Sequence, residues 1–115
     1  MNGATAGPEV SAAAAVSAVG AGAYLLDVRE LDEWNAGHAP GATLIPLSEL
    51  GGRLDEVPRD HEVLVICHSG MRSARATAAL RDVGVDAVNV TGGMLAWRDA
   101  DGELESNGDT SVSVG

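Results

Sequence analysis

The apolar residues of this chain fall into short runs whose spacing changes from one run to the next. Ala12, Ala15, Val16 and Val19 recur at i, i+3, i+4 and i+7, the period of a helix with one apolar face, and Ser11 stands where an N-cap belongs. Gly20 and Gly22 end that pattern. Residues 24–28 (YLLDV) then read as a short strand, 30–35 (ELDEWN) as a short helix, and 37–42 (GHAPGA) as a turn-rich loop. A brief strand is expected over 42–45. Pro46 suits the first turn of a helix running to about Leu54. Residues 62–66 (EVLVI) are the most strand-like run. Four consecutive apolar residues there imply burial on both faces, as in a parallel sheet. A helix is expected from about Arg72 to Val83, with Ala76, Ala79, Leu80 and Val83 on its apolar face and Gly84 at its end. A strand over 87–90 and a short helix over 93–98 complete the series.

Strand and helix alternate throughout, which predicts a three-layer α/β domain with a mostly parallel central sheet flanked by helices. The periodic part runs over 8–101. Residues 1–7 are small and read as a flexible tail; 102–115 are polar and acidic, without period, and read as a second flexible tail. Sheets of this kind bind ligands beyond the carboxyl ends of their strands. The most apolar strand ends at Ile66, and the next residue is Cys67.

Composition narrows the functional classes. At 115 residues the chain holds one core. Its net charge is −10 and its basic residues are all arginine, so nucleic acid and anionic membrane are not expected partners. Cys67 is the single cysteine, which excludes an internal disulfide. The small-residue stretch 10–23 has no Arg or Lys before it, the first being Arg29, so it does not read as an export signal. No run reaches the length of a membrane span. The expected location is cytoplasmic.

The segment Cys67-His68-Ser69-Gly70-Met71-Arg72-Ser73 joins the buried strand to a helix. A short loop can point several backbone N–H groups inward, the following helix offers its positive end, and Arg72 adds a permanent charge. Gly70 allows the backbone turn that such a cradle needs. Together these favour an anion at the loop centre and the thiolate of Cys67, the nucleophilic form of a cysteine. Four residues separate Cys67 from Arg72. The phosphatase signature has one more, so this tighter loop suits a single sulfur atom on Cys67 better than a phosphoryl group. A phosphatase or arsenate reductase is thereby disfavoured.

Four motifs in order, LLDVRELDEW at 25–34, GHAPGA at 37–42, VICHSGMRS at 65–73 and TGGMLAW at 91–97, resemble the rhodanese homology domain over residues 8–101. The resemblance implies that Cys67 carries sulfur as a persulfide, with the backbone of His68, Ser69, Gly70, Met71 and Arg72 around the sulfur and the substrate anion. It implies a double displacement: a donor such as thiosulfate loads Cys67, and a thiol, cyanide or a protein acceptor unloads it. No metal or organic cofactor is implied. An alternative use of the same cysteine is a relay that takes sulfur from one protein and passes it to another.

Plainer readings stand beside these. A lone cysteine after a strand is commonly a small buried hydrophobe. Arg72 could instead form a structural ion pair with Asp27, at the end of the neighbouring strand. Asp27, Arg29, His38 and Ser73 are expected to support the site rather than react, His38 by a loop-fixing hydrogen bond. His68 could act as a base, but a thiolate already ionised does not need one. His61 reads as solvated, and Trp34 and Trp97 as core or rim packing. The histidines and Cys67 lack metal-ligand spacing, so no zinc site is expected.

Overall fold

A computed structural model describes residues 8–107 and 112–114. Residues 1–7, expected to form a tail, lie outside the described residues. The elements are β1 (Glu9–Val10), α1 (Ala12–Gly20), β2 (Tyr24–Asp27), α2 (Leu31–Ala36), β3 (Thr43–Leu44), α3 (Leu47–Leu50), a 3-10 turn (Leu54–Glu56), β4 (Val63–Ile66), α4 (Met71–Asp82), β5 (Ala87–Val90) and α5 (Gly93–Asp99). Five strands form one sheet in the order β1-β5-β4-β2-β3, and every pairing in it is parallel.

The apolar runs explain the layers. Successive side chains of a strand point to opposite faces. Leu26, Val63 and Val65 therefore enter one core with Ala76 and Leu80 of α4 and Leu50 of α3, whereas Leu25, Leu64 and Ile66 enter the other with Ala12 and Ala15 of α1 and Met94 and Trp97 of α5. β4 is buried at all four positions because it lies at the middle of the sheet. Ser11 caps α1, its side chain accepting from the Ala14 N–H at 3.1 Å.

Three expectations are corrected. The helix after Pro46 does not reach Leu54: it stops at Leu50, turns at Gly51 and Gly52, and resumes only as the 3-10 turn. Two adjacent glycines weaken a helix by about 1 kcal/mol each, and the apolar contacts of Leu50 and Leu54 do not require a continuous one. On α4 the buried residues are Ser73, Ala76, Thr77 and Leu80, while Ala79 and Val83 are exposed; the inward face is rotated toward the loop at the helix start. The short β1 strand was also not expected, and it extends the sheet by pairing with β5.

The stretch from Gly102, read as a flexible tail, returns to the domain in its described part. The Trp97 indole N–H donates to the Glu103 carbonyl at 3.0 Å. Glu105 and His38 exchange backbone hydrogen bonds at 2.9 Å each, Ser113 N–H donates to the Ala36 carbonyl at 2.9 Å, and Val114 is buried. The segment carries little periodic signal because it is held by isolated backbone contacts, not by an apolar face. Among the described residues no helix is long and apolar enough to cross a membrane.

Candidate active site

β2, β4 and β5 all end at the same edge of the sheet, and the loops that follow them meet there. The loop after β4 begins with Cys67, whose side chain is almost fully enclosed. Gly70, in the left-handed conformation at φ 107°, turns the chain into α4. Its N–H donates to Cys67 Sγ at 3.1 Å. The Ser73 hydroxyl, fully buried in the first turn of α4, lies 3.3 Å from Sγ and 3.3 Å from the Gly70 carbonyl, so its one proton can go to either. A thiolate draws that proton to sulfur, since charge-assisted hydrogen bonds are the stronger ones. The start of α4 adds its positive end beneath the same atom.

The loop is held from the far side by α5. Met94 N–H donates to the Cys67 carbonyl at 2.7 Å and Leu95 N–H to the His68 carbonyl at 3.2 Å. Gly93 makes this approach possible: a Cβ there would collide with the carbonyl groups of Cys67 and His68. The TGGM motif thus serves the cysteine loop, although it lies on another strand's end.

The charged residues pair differently from expectation. Arg72 does not pair with Asp27. Its two terminal nitrogens each meet a carboxylate oxygen of Glu33 at 2.7 Å. Those hydrogen bonds hold the Glu33 carboxyl down at about 2, against an ordinary 4.5, despite the opposing effect of burial. Glu33 in turn raises Arg72, and the charges of Cys67 and Asp27 act on Arg72 through space in the same sense. Asp27 belongs to Arg29, which is just as buried: Arg29 Nη2 reaches Asp27 Oδ2 at 2.8 Å, its Nε reaches Oδ1 at 3.0 Å, and its backbone N–H also donates to Oδ1 at 3.0 Å. Arg29 Nη2 also donates to the Gly37 carbonyl at 2.7 Å, tying β2 to the turn after α2.

His38 is buried and stacks flat on Trp34, with ring centroids 3.8 Å apart. Its ring nitrogens meet the Trp34 carbonyl at 2.8 Å and Glu105 Oε2 at 3.0 Å. His38 therefore joins α2 to the returning C-terminal segment, and neither ring nitrogen bonds to the Cys67 sulfur. Within the loop, His68 is half-buried, Ser69 is exposed and Met71 stands 77% exposed. A cavity of about 300 Å³ opens beside His68, lined by Arg29, Asp32, Glu33, Ala36, Ser113 and Val114. Cys67 is not part of that lining. Among the described residues no three His, Cys, Asp or Glu side chains gather to hold a metal ion.

Glu33, Asp32 and the 113–114 wall were not among the residues expected at the site. Glu33 left one signal, its place three residues after Glu30, because the two side chains form a reciprocal capping box at the start of α2. The wall left none.

A family model for the Rhodanese-like domain matches residues 11–100. The chain belongs to this family. A protein of Bacillus subtilis named as a sulfur carrier, YrkF, is 42% identical over 74 residues, which cover 64% of the chain and 40% of that relative, so the chain spans less than half of its length. A sulfurtransferase of Allochromatium vinosum is 38% identical over 74 residues, covering 64% of the chain and 69% of that protein. Among solved structures, a rhodanese-related protein of Thermoplasma volcanium superimposes with a TM-score of 0.80 at 33% identity, over 85% of this chain and 97% of that one. The first two relatives are named for sulfur handling, one as a carrier and one as a sulfurtransferase.

Proposed function

We propose that the protein is a sulfurtransferase that carries sulfane sulfur as a persulfide on Cys67, moving it from thiosulfate or a similar donor to a thiophilic acceptor such as cyanide or a thiol. One observation carries this reading: the only cysteine has its sulfur enclosed by a strand-to-helix loop, with a backbone N–H at 3.1 Å and a hydroxyl at 3.3 Å. Those donors can hydrogen-bond to negative charge on the sulfur when Cys67 attacks and again when the same atom leaves on unloading. Asp27, Arg29 and His38 brace the frame around the loop by holding the end of β2, the turn after α2 and the returning C-terminal segment together, and Ser73 positions the sulfur. With no second cysteine, discharge needs an external acceptor.

A relay between protein donor and protein acceptor is the second reading. The exposed apolar Met71 beside the loop favours it, since an apolar edge offers contact area to a partner. A relative named as a sulfur carrier supports it as well.

The test is to expose the reduced protein to thiosulfate or to cysteamine persulfide and follow its mass, then add cyanide and measure thiocyanate. Cys67 is expected to gain the mass of one sulfur and to release it, and Cys67→Ala to do neither. Sulfur uptake and release by Cys67→Ala at the wild-type rate would falsify both readings.

A further inference from the structure

The charges around the loop bear on which donor can reach Cys67, given the persulfide reading above. Thiosulfate is a dianion and must approach a thiolate. Association of that kind depends on cations able to meet the donor. Two arginines stand beside the loop, and carboxylates occupy both. Arg72 is held at two points by Glu33, 2.7 Å on each side. Arg29 is held by Asp27 and by the Gly37 carbonyl. The cavity beside His68 has Asp32 and Glu33 in its wall against the already paired Arg29. Arg75, the next cation on α4, is exposed and lies roughly 6 Å along the helix axis from Met71. The loop edge itself is apolar at Met71.

We propose that Glu33 is a specificity-determining residue for the sulfur donor: by occupying both arms of Arg72 at the edge of the loop, it slows loading from dianionic donors such as thiosulfate relative to persulfides with a neutral or cationic body, while both still load Cys67. In the loading step a lone pair of Cys67 Sγ forms a bond to the outer sulfur of R–S–SH. The donor's S–S bond breaks, and its electron pair leaves on the inner sulfur as R–S⁻. The proton remains on the transferred sulfur, so charge balances and no oxidant is needed. The same step with thiosulfate expels sulfite and crowds the dianion's charge against the thiolate, while the two guanidinium groups beside the loop, Arg72 and Arg29, are already paired with carboxylates.

Glu33→Gln separates the charge from the fold. The glutamine oxygen can still accept the Glu30 N–H, which Glu33 Oε1 holds at 3.0 Å, so the start of α2 keeps its cap. Its amide offers Arg72 one acceptor and no charge. Loading of Cys67 is measured by mass with thiosulfate and, separately, with cysteamine persulfide. Glu33→Gln is expected to raise the ratio of thiosulfate to cysteamine persulfide loading by about tenfold, the scale of a local electrostatic effect on association. The change should lie in the apparent KM for thiosulfate, and it should collapse at 1 M salt, where screening shortens to about 3 Å. A purely structural role for Glu33 would leave that ratio and its salt dependence where they are in wild type, and that result overturns the proposal. Asp32→Asn, which alters an exposed wall residue, should move the ratio the same way by a smaller factor. If Glu33→Gln does not fold, an unmoved ratio in Asp32→Asn overturns it. Failure of Cys67 to load from either donor defeats the persulfide reading itself, and this inference with it. Loading from both donors with an unmoved ratio defeats the inference alone.

Discussion

Two arginine–carboxylate pairs flank the cysteine loop, and they share chemistry but not circumstance. Asp27–Arg29 is 1% exposed on both sides; Glu33–Arg72 is 30% and 33% exposed. Burial changes what each pair can do. Removing one member of a buried pair leaves an uncompensated charge where water cannot reach it. Arg29 also satisfies the Gly37 carbonyl, so the inner pair fixes the end of β2 against the turn that leads to His38. The outer pair touches solvent. Its attraction is screened, and its contribution to stability is correspondingly modest. The inner pair is thus part of the frame, while the outer one sets the charge that an incoming molecule meets.

The sharpest way to break this contrast is Arg29→Ala, which strands the Asp27 carboxylate and the Gly37 carbonyl. It should cost about 3–5 kcal/mol in urea denaturation. A loss below about 1 kcal/mol would mean that the buried pair is not structural. Arg29→Lys keeps the charge but cannot hold Asp27 with two nitrogens and still reach Gly37. The expected loss is smaller, about 1.5–3 kcal/mol for the charged hydrogen bonds given up. Equal stability of the lysine and wild-type proteins would show that charge alone suffices.

The smallest effect belongs to the outer pair. Glu33→Gln should lower stability by about 1 kcal/mol at neutral pH, after allowance for solvent screening. Its pH dependence is more diagnostic. Glu33 is held at about 2 in the folded protein, below its ordinary 4.5, so its contribution is complete above about 4.5 and drains away as pH falls toward about 2. Denaturation of both proteins at stepped pH should show the two curves parallel above 5 and converging below 4.5. A gap that does not shrink as pH falls from 4.5 to about 2 would place the stabilisation elsewhere than in the ion pair.

Much of the fold was legible because its signals are local. The Ser11 cap, the apolar run ending at Ile66 and the loop from Cys67 to Ser73 each depend on neighbours in sequence. The helix expected through Leu54 failed on Gly51 and Gly52, a local cost that the apolar spacing concealed. The inward face of α4 was misread because Ser73 and Thr77 are buried there while Val83 is not. That face is set by the loop and sheet it covers, not by hydrophobicity alone.

The partners of the arginines were the harder question. Asp27 ends β2 and Arg29 lies two residues beyond it, outside the strand, so the two-residue alternation of a strand does not decide whether they share a site. Arg72 and Glu33 are 39 residues apart, on different helices. The expected Asp27–Arg72 pair fails because the nearer Arg29 already fills the Asp27 carboxylate.

By itself the sequence determined an alternating α/β chain and a lone cysteine placed after its most apolar strand, since periodicity and turn residues act over a few positions. Only the tertiary structure decided that Gly93, at the start of α5, would close against the Cys67 carbonyl, that Glu33 would take both arms of Arg72, and that the C-terminal residues would return to His38 and Ala36. Those contacts join residues far apart in the chain. They exist because the parallel sheet brings its strand ends to one edge, where short range in space no longer means short range in sequence.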